Sequence, residues 1–220
     1  MRRTRNRAFA TGRLTAGPAW PLTIGAVFLA GVGLAWLAAN PMAARHTALG
    51  AFAGGVVYTV WLKRRTAWNI VIGGAAGSFA VLAGAAAVDG GVPDATTIAS
   101  AVVLFLWTPP HFWSLAIAYR DDYAAARVPM LPGVAGDAAA ARAVFWGAAM
   151  LVAASIVPAF LGLSWLYAAA AVGGGALLML RTAQLALEPT RPRALASFHA
   201  SLIQLSLLIV AAGVEPLLRA

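Results

Sequence analysis

The sequence predicts an all-α, polytopic membrane protein, and three observations carry that prediction. Of its 220 residues, 61% are hydrophobic and 10% charged, with a mean hydropathy of +0.80; a soluble domain has roughly 45–50% apolar and about 25% charged residues. Seven apolar stretches have lengths near the roughly 20 residues that one bilayer crossing needs. The basic residues fall almost wholly in alternate loops, the pattern of a chain that weaves through a membrane. With no cysteine, a disulfide-stapled secreted domain is excluded, and this composition also excludes a soluble enzyme and a disordered tail.

The stretches are 18–39, 48–62, 69–88, 96–118, 143–162, 165–187 and 198–217. The second is short and borrows from its flanks. Gly73, Gly74 and Gly77 in the third, and Gly173, Gly174 and Gly175 in the sixth, are the small residues that let helices approach in lipid. The fourth holds Pro109 and Pro110, which remove two helical donors and free carbonyls that need partners or a cavity. The first stretch, with its basic leader and an Ala-rich sequence near Pro41, imitates a signal peptide; its length and the six spans behind it favour a retained helix. The chain shows no internal repeat and no soluble domain.

All basic residues except Arg45 and Arg219 lie on one side: the N-terminal arm (Arg2, Arg3, Arg5, Arg7, Arg13), Lys63-Arg64-Arg65, the 119–142 loop, Arg181, Arg191 and Arg193. The positive-inside rule puts that side in the cytoplasm, with the N-terminus inside and the C-terminus outside. The net charge of +9 is then topology, and no nucleic-acid partner is expected. The lipid bilayer is the partner that the composition does require.

Few residues can carry chemistry. Asp89 and Asp94 sit in an outside turn and Glu215 near the C-terminus. Asp121 and Asp122 end a span on the basic side, where carboxylates can hold Mg²⁺, a hard cation that takes oxygen ligands and bridges to substrate phosphates. An ordinary helix-end charge pair is the alternative. Before them runs Trp107-Thr108-Pro109-Pro110-His111-Phe112-Trp113, and a histidine at membrane depth beside a kink is a functional candidate. If the helix continues, His111 and Asp122, 11 residues apart, share one face about 16 Å apart. Trp107, Phe112, Trp113, Tyr119 and Tyr123 surround that face, either as an interfacial belt or as a cation-stabilising wall. Lys63, Arg64 and Arg65, with Asn69 after them, and the N-terminal arginines are orientation signals, lipid contacts or a diphosphate clamp.

With these residues in view, the chain resembles the UbiA superfamily of intramembrane prenyltransferases, and within it the branch that farnesylates heme. Four stretches carry the resemblance. They are Met1-Arg2-Arg3-Thr4-Arg5-Asn6-Arg7 with Thr11-Gly12; Trp61-Leu62-Lys63-Arg64-Arg65-Thr66 with Asn69 to Gly77; Phe105 to Trp113; and Asp122-Tyr123 with Val128-Pro129-Met130-Leu131-Pro132.

The resemblance implies a UbiA-type bundle of nine helices in which two Asp-rich motifs bind Mg²⁺ and farnesyl diphosphate. Asp122, with Asp121, stands for the second motif. Lys63, Arg64, Arg65, Arg3 and Arg7 hold diphosphate, and Asn69 lines the same mouth. His111 faces a heme cavity as an acid/base or a porphyrin contact. The implied reaction ionises farnesyl diphosphate and alkylates a vinyl group of heme B, and water completes the hydroxyethylfarnesyl group of heme O, in a bacterial inner membrane. The implied partners are the two substrates and a terminal oxidase assembly or downstream heme-modifying protein.

The family's arginine-threonine string follows its first Asp-rich motif, and here it begins at Met1. Residues 1–220 therefore read as a single prenyltransferase domain that lacks the first two helices and first motif, with Met1 as an internal methionine of a longer protein. Arg127 stands where the family has a small residue, as a solvated loop arginine or an addition to the clamp. Three other readings compete: a UbiA-type transferase with an aromatic acceptor, an inactive remnant that binds heme or scaffolds oxidase assembly, and a transporter.

Overall fold

The computed structural model describes residues 6–15 and 17–219, the last four by backbone alone. Among the described residues every regular element is helical. Helix α1 (Ala19–Ala38) starts behind Pro18, whose φ of −64° is already helical. Helix α2 (Pro41–Ala51) is capped by Asn40, which accepts the Ala43 N–H at 2.8 Å and donates through Nδ2 to the Ala86 carbonyl at 2.5 Å. One side chain thus starts α2 and ties it to the end of α4.

The chain continues from α2 into a π-helical segment (Phe52–Leu62), where the Lys63 N–H reaches the Tyr58 carbonyl five residues back. Helices α3 (Asn69–Gly73) and α4 (Ala75–Asp89) form the next span around a turn at Gly74. Helix α5 (Ala95–Ala118) is capped by Asp94, which accepts the Thr97 N–H at 2.7 Å. Hydrogen bonds from the Thr97 side chain and backbone hold the Asp94 carboxyl below its usual range.

Pro109 and Pro110 lie inside α5. They leave the turn that contains the Phe105 carbonyl open, and Gly74 packs there. A Cβ on Gly74 would lie 3.4 Å from that oxygen and 3.2 Å from the Thr108 Cβ. Two short helices follow, α6 (Arg120–Ala125) and α7 (Leu131–Ala135), and then three long ones: α8 (Asp137–Phe160), α9 (Trp165–Leu187) and α10 (Arg191–Arg219).

Among the described residues six helical stretches are long and apolar enough to cross a bilayer: Ala19–Ala38, Asn69–Asp89, Ala95–Ala118, Asp137–Phe160, Trp165–Leu187 and Arg191–Glu215. The chain is a multi-pass membrane protein. The expected seventh stretch, 48–62, is the later part of a helical run from Pro41 to Leu62 that is divided between α and π turns, so neither piece reaches full span length. Helices α8 and α10 begin several residues before the apolar stretches do. Arg142, Arg191 and Arg193 lower the local hydropathy, but they do not interrupt backbone hydrogen bonding.

Helices α5, α8, α9 and α10 pack in a closed ring. Its core joins Val103 of α5, Leu151 of α8, Tyr167 and Leu178 of α9, and Leu208 of α10. Helix α4 lies against α5, α2 against α4, and α1 against α2 at the edge. No residue of α1 is buried, and Leu22, Ile24 and Leu37 are largely exposed. Lipid covers such a surface where water would not.

Candidate active site

The expected continuous face from His111 to Asp122 does not form. Tyr119 leaves helical geometry (φ −125°, ψ 32°), ends α5 and redirects the chain into α6 before the acidic pair. The two halves of the expected site are therefore separate places.

The membrane half is a packed seam. His111 is buried, with its ring against Trp107 (centroids 4.0 Å apart, 21° between planes) and Phe198 (4.5 Å). Its Nδ1 lies 2.7 Å from the Ser201 hydroxyl, and that hydroxyl donates to the Phe198 carbonyl at 2.7 Å. A serine has one proton to give, so this network assigns the imidazole proton to Nδ1 and the lone pair to Nε2.

Trp107 Nε1 donates to the Ser201 carbonyl, and the Ser114 and Ser197 hydroxyls pair at 2.8 Å. Phe112 meets His111 edge-on, and Trp113 is buried with its indole N–H unpartnered. These residues join α5 to α10 and line none of the cavities described below. Removing the hydroxyl with Ser201→Ala leaves a buried His111 nitrogen without a partner. That should cost about 1–3 kcal/mol, read as a lower melting temperature in detergent, while Ser201→Thr, which keeps a hydroxyl, retains most of the stability.

The other half lies on the side that bears the basic loops, where α6 separates two cavities. One, of about 520 Å³, is lined by Tyr119, Arg120, Asp121, Asp122 and Arg191. The Asp121 side chain is 99% exposed and 3.7 Å from Arg120, whereas Asp122 is half-buried. The Arg191 guanidinium lies over the Tyr119 ring at 5.3 Å. Arg120 also bonds Asp137 at 2.8 Å, which fixes α6 to the start of α8.

The second cavity, of about 410 Å³, is lined by Arg64, Arg65, Arg120, Tyr123 and Arg127 among apolar residues. A neighbouring groove takes Lys63 and Arg64. The basic cluster and the acidic pair thus sit on opposite sides of α6, with Arg120 common to both.

Other expected residues fall elsewhere. Asn69 is fully buried rather than at the mouth; its Nδ2 donates to the Thr66 carbonyl at 2.5 Å, and its Oδ1 has no partner among the described residues. Arg7 is exposed in an N-terminal turn and lines neither cavity. Arg3 lies outside the described residues. Sequence reasoning passed over Arg191 as a site residue, and it missed Ser197 and Ser201. Their four-residue spacing on a helix, continued by Gln204, is a polar stripe that was open to detection.

The acidic pair is compatible with a divalent cation. Among the described residues no three His, Cys, Asp or Glu side chains gather as a closed metal cage. Magnesium needs none: one or two carboxylates suffice when water and substrate phosphate supply the rest.

Fold and site together define a multi-pass helical membrane protein with carboxylates and guanidiniums grouped at one face, a donor set suited to an anionic substrate. The chain belongs to the UbiA prenyltransferase family, which matches over residues 1–208. It is similar to protoheme IX farnesyltransferase 2 of Paramagnetospirillum magneticum, at 57% identity over 99% of this chain and 75% of that protein. Protoheme IX farnesyltransferase 1 of the same organism is 47% identical over 96% of this chain and 74% of its own length. The protoheme IX farnesyltransferase of Clavibacter sepedonicus is 42% identical over 99% and 72%. No solved structure matches the chain.

Proposed function

We propose that the chain transfers a farnesyl group from farnesyl diphosphate to a vinyl group of heme B, with diphosphate leaving and water adding to the resulting cation to form heme O, at the cytoplasmic face of a bacterial inner membrane. The observation that carries this reading is the likeness along nearly the whole chain to proteins named protoheme IX farnesyltransferase. The site's composition agrees with it, since the reaction joins two anionic substrates and the cytoplasmic-side cavities are rich in arginine.

In this reading Asp122, with Asp121 beside it, holds a divalent cation, Mg²⁺ by its oxygen ligands. When bound, that ion neutralises negative charge on the departing diphosphate. Arg120 and Arg191 line the same cavity and meet the remaining charge with hydrogen-bond donors. Lys63, Arg64 and Arg65 line the cavity and groove on the other side of α6 and add positive potential that attracts the anionic acceptor. Tyr119 lines the cavity of the acidic pair and steadies Arg191 over its ring, while Tyr123 forms an aromatic wall of the cavity on the other side of α6. Buried His111 and Asn69 act from below, by fixing α5 to α10 and the turn after Lys63. Heme O then passes to an oxidase assembly or a heme-modifying enzyme.

The experiment supplies membranes that contain the chain with farnesyl diphosphate and either heme B or a hydroxybenzoate, and identifies products by mass. Heme O from the first mixture is the expected result. Prenylated benzoate alone would sink the heme assignment and leave a transferase with an aromatic acceptor.

A further inference from the structure

The two cavities beside α6 differ in one chemical respect. The larger contains both carboxylates, while among the described residues the lining of the smaller has four arginines and no acid. Among the described residues Arg64, Arg65 and Arg127 take part in no ion pair. The rest of that lining is mainly apolar, including Ala116, Val128 and Met130. Half apolar wall and half guanidinium is a complement for a flat hydrophobic molecule with anionic groups on one edge.

Arg127 adds a second observation. Among the described residues it is the one non-glycine with positive φ, at 52°, a conformation that side chains rarely adopt and glycine adopts freely. The segment is held there from both directions. The Val128 N–H donates to the Tyr123 carbonyl at 3.0 Å, and Val128 and Met130 are buried against Ile70 and Ala116. A side chain kept where the backbone would prefer glycine, at the rim of a cavity, points to a binding role.

We infer that the acid-free cavity is a carboxylate site that takes the two propionates of the porphyrin acceptor, with Arg127 as a specificity-determining residue. This rests on the heme reading given above. Diphosphate is handled with a divalent cation, and the carboxylates that could hold one are on the other side of α6. A propionate needs no cation, and the planar guanidinium fork matches its two oxygens. The vinyl groups of heme B lie on the edge away from its propionates. Anchoring the propionates among Arg64, Arg65 and Arg127 therefore directs the reacting edge away from the arginines. Arg120, which lines both cavities, links the two substrates.

The test titrates the full chain, in nanodiscs of zwitterionic lipid, with heme B and with heme B dimethyl ester, following the Soret band. Wild type should bind the free acid about tenfold more tightly than the ester. Arg127→Gly should weaken heme B binding about five- to tenfold and leave ester binding and the KM for farnesyl diphosphate unchanged. Glycine suits the backbone at this position, so the melting temperature should not fall. Arg65→Gln, which leaves that backbone alone, should show the same selective loss.

Equal binding of acid and ester by wild type would overturn the propionate site while leaving the heme reading intact. A raised KM for farnesyl diphosphate with heme binding unchanged would give the cavity to diphosphate. A difference between wild type and variant seen only with phosphatidylglycerol vesicles would give it to a lipid headgroup. Failure of wild type to bind either porphyrin would remove the heme reading itself.

Discussion

Replacing Asp122 with alanine should lower the kcat/KM for heme O formation at least about 10³-fold, while Asp121→Ala should cost less than about tenfold. The scale follows from the several kcal/mol that a bound cation contributes to stabilising developing charge, at 1.36 kcal/mol for each factor of ten. The asymmetry follows from their surroundings. Asp122 is half-buried in the first turn of α6, so its carboxylate is held in place, whereas the Asp121 side chain is 99% exposed beside Arg120. An exposed carboxylate that must be immobilised before it binds gives up part of its interaction energy as lost side-chain freedom.

Initial rates over a range of Mg²⁺ concentrations check both halves, with melting temperatures to show that the variants fold. More Mg²⁺ should partly restore Asp121→Ala and leave Asp122→Ala inactive. Unchanged turnover in Asp122→Ala would remove it from the site, and equal losses would make the pair a single unit.

Much of the fold was legible because membrane spans announce themselves by length and hydropathy. Ala95–Ala118 and Trp165–Leu187 lie within a residue of the expected stretches. The run through Phe52–Leu62 was short in the sequence because the polar start of α2, with Arg45, His46 and Thr47, lowers its hydropathy. The site was legible in its parts and not in their arrangement. A single non-helical residue, Tyr119, decides whether Asp122 shares a face with His111, and nothing in its side chain announces that break. Which side of a six-residue helix each loop approaches is likewise set by packing, here by Val128 and Met130 against Ile70 and Ala116. Departure from the family at Arg127 was visible as an identity, but the sequence did not show its left-handed backbone.

The glycine triplet of α9 shows how one short string serves two interfaces, and it yields the second large effect. Successive residues on an α-helix point about 100° apart, so three in a row cannot all face one neighbour. A Cβ on Gly174 would lie 3.1 Å from the Gln204 Cα of α10, and one on Gly175 would lie 2.8 Å from Val152 Cγ1 of α8; one on Gly173 meets nothing within 4 Å. Gly174→Leu should therefore destabilise the chain by about 3 kcal/mol, the upper end for overpacking, because the nearest obstacle is backbone and only separation of α9 from α10 relieves it.

Gly173→Leu should leave the melting temperature unchanged or slightly higher, since leucine is the better helix former. Gln204 is fully buried at this contact with neither amide atom bonded, so the loss in Gly174→Leu is one of close packing and not of a broken hydrogen bond. Thermal unfolding in one detergent for both variants checks the pair, and equal melting temperatures would disprove the close approach at Gly174. Because α10 carries Arg191 at its start and Ser197 and Ser201 further along, heme O formation should fall with stability in Gly174→Leu and persist in Gly173→Leu. The two site halves that Tyr119 separates are held in register by α10, and Gly174 sets how closely α10 can approach α9.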